Sequence, residues 1–125
     1  MTASVVVLVR DFELGTRIAD AVTGRGKRVV FPEDGAALDR ELSQSTELVI
    51  IDLEEKEYRA VDLVKDIRKR YPELSIVGFH RRIRKEAYAT AREAGCSWVF
   101  SRSSLVKNLP TLLGEGWKEN AGGRR

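Results

Sequence analysis

The sequence predicts an α/β fold: a single, open, doubly wound sheet of five parallel strands with helices on both faces. Three observations predict it. Five short apolar runs are spread along the chain, and unbroken apolar runs of strand length are what strands buried on both faces require. Between them apolar residues recur at helical spacing, which supplies the crossovers that parallel strands need. The length, 125 residues, suits one such sheet, whereas a closed eight-fold βα barrel needs about twice as much chain.

Ser4 to Val9 is the first strand, rich in β-branched residues. From Glu13 onward Leu14, Ile18, Ala21 and Val22 mark a helix face, closed by Gly24 and Gly26. Arg28 to Phe31 reads as the second strand, ended by Pro32, and Ala37, Leu38 and Leu42 give a short helix. Leu48 to Ile51 is the third strand, with Asp52 at its end. Val61, Val64, Ile67 and Tyr71 line the next helix, which stops at Tyr71-Pro72. Ser75 to Phe79 is the fourth strand, followed by a basic turn, His80-Arg81-Arg82, and a helix carrying Ile83, Ala87, Ala91 and Ala94 up to Gly95. Trp98 to Ser101 is the fifth strand. Ser103 or Ser104 can cap a last helix through Leu105, Leu109 and Leu112, with Pro110 expected to kink or shorten it. The domain spans 1–113, and 114–125, with four of the ten glycines, reads as a flexible C-terminal tail.

Composition removes several classes. With 42% hydrophobic and 33% charged residues and three prolines, the chain is neither disordered nor collagenous. No run approaches the roughly 18 to 20 apolar residues of a membrane helix. The run Val5 to Val9 is closed by Arg10 and Asp11, and no basic segment precedes it, so no signal peptide is expected. One cysteine, Cys96, excludes an internal disulfide, and one Cys with one His cannot build the usual zinc sites. A reducing cytoplasm is the expected address. The net charge of +3 is polarised: residues 1–80 hold 12 Lys/Arg against 15 Asp/Glu, and residues 81–125 hold 10 against 4. Such asymmetry steers acidic partners, although a solvated basic face is its commoner meaning.

In an open α/β sheet ligands sit at the carboxyl ends of the strands, where the strand order reverses. That rule selects Arg10, Asp11, Asp52, His80, Ser101 and Arg102. If strands one and three are neighbours, Asp11 and Asp52 share one end of the sheet, where two carboxylates can hold a magnesium ion. Each residue also has a plainer reading. Asp11 can cap the first helix, Arg102 can pair with either carboxylate or extend to solvent, and His80 can be an ordinary polar residue. The loop after Asp52, Leu53 to Lys56, makes no capping demand that would explain that aspartate.

From Val5 to about Leu113 the chain resembles the receiver domain of two-component response regulators. Four stretches carry the resemblance: Leu48-Val49-Ile50-Ile51-Asp52-Leu53, Leu63-Val64-Lys65-Asp66-Ile67-Arg68, Pro72-Glu73-Leu74-Ser75-Ile76-Val77 and Ala91-Arg92-Glu93-Ala94-Gly95-Cys96. It implies the flavodoxin-like (CheY-like) strand order 2-1-3-4-5. It makes Asp52 the residue that receives a phosphoryl group from a histidine kinase or phosphotransfer protein, assisted by Arg102 and His80. It makes Asp11, Asp52 and the backbone carbonyl of Glu54 the magnesium ligands. Arg10 replaces the first residue of the usual acidic pair, which counts against magnesium, although Glu13 can lend a carboxylate from one turn away. His80 stands where the family has Thr or Ser, Arg102 where it has Lys, and Ser103 where it has Pro. Glu55-Lys56 and Ala60 replace a Met-Pro and a Gly, and Val99 takes the place of an aromatic residue.

The resemblance also implies output by protein contact through the fourth and fifth helices, where Arg84, Lys85, Arg92 and Lys107 suit an acidic downstream protein or a homodimer contact. The chain is therefore expected to be a signalling domain and not an enzyme. Two readings compete: a phosphorylatable receiver, and a pseudo-receiver held in one state by a metal-free cluster of Arg10, Asp11, Asp52 and Arg102. A nucleotide-binding enzyme lacks its phosphate loop, because Arg10-Asp11-Phe12-Glu13 follows the first strand. Nucleic acid is not an expected partner, since the basic residues lack interleaved aromatics.

Overall fold

The computed structural model describes residues 2–114; the tail expected over 114–125 lies outside them apart from Gly114. The order of elements is β1 (Ser4–Leu8), α1 (Phe12–Thr23), β2 (Arg28–Val30), α2 (Gly35–Glu41), β3 (Thr46–Asp52), a 3₁₀ turn (Lys56–Tyr58), α3 (Ala60–Arg70), β4 (Ser75–His80), α4 (Lys85–Ala94), β5 (Trp98–Ser101) and α5 (Arg102–Leu113). The strands form one parallel sheet in the order β2-β1-β3-β4-β5, as the doubly wound reading requires. Among the described residues no helix is long and apolar enough to cross a membrane.

The period-two alternation of each strand divides the core into two layers. Val6, Leu8, Val49, Ile51 and Ile76 face α2, α3 and α4, where Leu38, Val64, Ile67, Ala91 and Ala94 are buried. Val5, Val7, Leu48, Ile50 and Val77 face α1 and α5, meeting Leu14, Ile18, Val22, Leu105 and Leu109. Burying both faces explains why the central strands contain hardly a polar residue.

Several boundaries differ from the sequence reading. His80 is not in a turn: it ends β4, paired with Ser101, because the parallel ladder carries the strand one residue further. The cap of α5 is Ser101, whose Oγ accepts the Ser104 N–H at 3.2 Å, so the helix starts directly at the end of β5 and neither Ser103 nor Ser104 caps it. Pro110 does not shorten α5, which runs on to Leu113. Ile83 precedes α4 and is exposed.

Arg68, near the end of α3, ties three segments together. Its guanidinium donates to the carbonyls of Tyr71, Pro72 and Leu74 at 3.1, 2.9 and 2.7 Å, to Gly95 at 2.7 and 3.1 Å, and to Ser97 Oγ at 3.3 Å. Gly95 closes α4 at φ +131°, a conformation side chains rarely adopt, and a Cβ there would meet Arg68.

Candidate functional site

The topology brings Asp11, Asp52, His80 and Arg102 to one end of the sheet. β1 and β3 are neighbours with Leu8 opposite Ile51, and β3 and β4 with Asp52 opposite Phe79. Asp11 stands between β1 and α1, Asp52 and His80 end their strands, and Arg102 is the first residue of α5.

Asp11 performs two tasks. One carboxylate oxygen, Oδ1, caps α1 by accepting the Leu14 N–H at 3.0 Å. The other, Oδ2, is ion-paired with the Arg102 guanidinium. The Arg102 hydrogen bond, reinforced by the Leu14 amide, holds the Asp11 carboxyl below its usual pKa. Of the two carboxylates open to Arg102 in the sequence reading, the structure selects Asp11.

Arg10 does not join a four-membered cluster with Asp52. It pairs with Glu57 and lies over the Tyr58 ring, 5.6 Å from the centroid. The 3₁₀ turn brings both partners to it. Neither Glu57 nor Tyr58 was singled out by the sequence, because no motif marks a turn that pairs with a residue 47 positions earlier.

Asp52 also has a local role that the sequence reading denied it: its Oδ1 accepts the Glu54 N–H at 2.9 Å, fixing the turn after β3. Burial raises its pKa, and the neighbouring charges of Glu54 and Glu55 add to the effect. The two aspartates are thus tuned in opposite directions.

His80 is 8% exposed. Its Nδ1 is 3.7 Å from the Glu54 carboxylate, and its Nε2 is buried without a hydrogen-bond partner. Leu53 lies over the preceding part of β4: its amide donates to Phe79 O at 3.0 Å, and its side chain fills the space where a Cβ on Gly78 would stand, at 2.6 Å. Gly78 is therefore required by the close approach of the residue next to Asp52.

The donor set fits magnesium poorly. Both oxygens of Asp11 are engaged, Arg10 supplies no carboxylate and is turned onto Glu57, and one oxygen of Asp52 accepts the Glu54 N–H. Among the described residues no group of three or more His, Cys, Asp or Glu side chains is placed to hold a metal. Octahedral coordination by oxygen demands more.

The basic residues divide between two surfaces. Arg84, Lys85 and Arg92 are exposed on α4 and its entrance, with Lys85 and Arg92 two turns apart, about 10 Å along the axis. Tyr88 and Ile83 are exposed beside them. Lys107 is on α5, across the sheet, lining a groove with Glu13, Arg17 and Arg102 between α1 and α5.

No protein-family model matches the sequence, and no curated protein matches it either. Its likeness to solved structures is clear. The CheY-like receiver domain protein from Methanospirillum hungatei superposes with a TM-score of 0.75 at 13% identity, covering 95% of this chain and 99% of that one. The BeF3-activated receiver domain of DrrB gives 0.74 at 17%, covering 90% and 98%. The response regulator RcsB of Salmonella typhimurium gives 0.76 at 17%, covering 99% of this chain and 63% of that one. At such identities the likeness establishes the fold: five parallel strands and five helices in the arrangement of response-regulator receiver domains.

Proposed function

We propose that the domain is an atypical response-regulator receiver of two-component signal transduction in the cytoplasm, with Asp52 as phosphoacceptor and output by protein contact. It is a signalling domain and not an enzyme. The observation that carries this reading is the place of Asp52: a half-buried carboxylate ending the central strand of a receiver-fold sheet, at the end where open α/β sheets bind ligands. That a neighbour of the same fold is BeF3-activated supports the assignment.

In this reading the Asp52 carboxylate attacks the phosphorus of a phosphohistidine on a histidine kinase or phosphotransfer protein. The new O–P bond forms as the P–N bond breaks, and the imidazole leaves with its electron pair and takes up a proton. The demand on the protein is to neutralise charge on the equatorial oxygens. Arg102 supplies a cation whose field reaches Asp52, and His80 is the polar group ending the adjacent strand. The α4 surface of Arg84, Lys85, Tyr88 and Arg92 is the output face for an acidic partner, where charge sets encounter rate and Tyr88 adds contact area.

A second reading, a phosphorylation-independent pseudo-receiver used as an interaction module, is favoured by one observation: Arg102 is already held by Asp11. Beryllofluoride titration followed by amide NMR, with Asp52→Asn as control, decides between them. Saturable shifts around Asp52, His80 and Arg102 that vanish in the variant are expected. Their absence from the folded wild type would overturn phosphoacceptance and leave the interaction module.

A further inference from the structure

We infer that the Arg102 guanidinium is the resident cation of this site, standing on Asp11 in place of a divalent metal, so that the site is built to work without magnesium. The inference concerns the metal alone and stands whether or not Asp52 accepts a phosphoryl group.

Asp11 is the pivot. A cation entering at its carboxylate has two oxygens to choose from, and each is committed. Oδ1 already accepts the Leu14 N–H that caps α1, and Oδ2 holds the Arg102 guanidinium, whose charge a divalent ion at this carboxylate would have to displace or oppose. The pair joins the first residue of α5 to the entrance of α1, two helices that pack together on the same face of the sheet. Displacing Arg102 therefore also removes a tie between those helices. Arg10, the residue before Asp11, supplies no carboxylate to a cation there and is itself occupied by Glu57 and Tyr58.

The remaining acids do not compensate. Asp52 turns Oδ1 onto the Glu54 amide, and the Glu54 carboxylate is the one nearest His80. A guanidinium delivers fixed, planar donors and stays charged at every accessible pH. The domain thus keeps a cation at the end of its sheet permanently, where a metal would leave and return with its concentration.

The test is a magnesium chloride titration of the full chain by amide NMR, with sodium chloride at matched ionic strength, on the wild type, Arg102→Ala and Arg10→Asp/Arg102→Ala. The wild type should show no saturable shift at the amides of 10–12 and 52–55 through the millimolar range. The double variant, which frees Asp11 and restores an acidic neighbour, should gain one that a chelator reverses. Saturable shifts in the wild type overturn the inference, as does a folded double variant that gains none. If the double variant gives no folded spectrum, Arg102→Ala takes its place under the same criteria. Because no phosphoryl analogue is used, a failed beryllofluoride response would remove the phosphoacceptor reading without touching this one.

Discussion

Arg102 and Asp11, 91 residues apart, are joined by an ion pair through Oδ2 of the aspartate, while Oδ1 of the same carboxylate caps α1. The two functions separate by substitution. Asn still accepts the Leu14 N–H but carries no charge, so Asp11→Asn removes the pair and leaves the cap, and Asp11→Ala removes both. Because the folded pKa of Asp11 is depressed, its carboxylate adds stability above the unfolded pKa and loses it as pH falls through the folded one. Asp11→Asn should therefore lower the denaturation midpoint at neutral pH, with the deficit closing below the ordinary carboxylate range. Denaturant unfolding at several pH values measures it, and a pH-independent deficit would contradict the assignment.

Asp52→Asn should do the opposite. Its folded pKa is raised by burial, so the charged form costs stability that is absent while the group is protonated and is felt as pH rises through the folded pKa. The variant should have a higher midpoint than the wild type at neutral pH, and the gain should disappear in acid. The same unfolding series reads both aspartates, and the opposite signs are the diagnostic outcome.

Arg68 is expected to matter far more than a partly exposed arginine usually does. Arg68→Met leaves the carbonyls of Leu74 and Gly95 without their charge-assisted donor, at a cost on the order of 2–3 kcal/mol. Arg68→Lys should recover little, since one ammonium cannot span acceptors on both sides. A loss below about 0.5 kcal/mol in chemical denaturation would show that solvent replaces these bonds.

Gly78→Ala places a methyl group within 2.6 Å of Leu53 and should cost about 1–3 kcal/mol by overpacking. Leu53→Ala in the same chain should return part of that cost, so a double-mutant cycle should be strongly non-additive. Because Leu53 follows Asp52, amide shifts in Gly78→Ala should reach the turn at Glu54.

Charge reversal at Arg84 and Lys85 should leave the unfolding midpoint within about 0.5 kcal/mol, since both side chains are exposed on the entrance to α4. In surface plasmon resonance against an acidic partner it should slow association and flatten its salt dependence. Unchanged association would remove the acidic-partner assignment from this face.

The sheet was legible because its information is local. Each strand buries both faces, so Val5 to Leu8 and Leu48 to Ile51 announce themselves as unbroken apolar runs, and the helices between them carry their periodicity openly. The site was legible in part. Asp11, Asp52, His80 and Arg102 were picked out by position alone, at strand ends, and the structure brings them to one end of the sheet. Their partners were readable only in part: the cap by Asp11 was open to reading, while Arg102 was left between two carboxylates. Arg10 turns to Glu57 and Tyr58, and Asp52 to the Glu54 amide, because a short 3₁₀ turn without apolar period or motif decides where those groups lie. Arg68 looked like one more charge on a helix, and its role follows only from three carbonyl-bearing segments converging on it.

The sequence by itself determined the layers, the five strands and the set of charged residues at the carboxyl ends of the strands, because burial and periodicity are properties of neighbours along the chain. Only the tertiary structure decided which charge meets which. Arg102 is drawn to Asp11 and away from Asp52 because α5 starts at once after β5, capped by Ser101, which places its first side chain beside the entrance to α1. Ion pairing depends on distances of a few ångström between residues far apart in sequence, and those distances exist only once the sheet has closed its order.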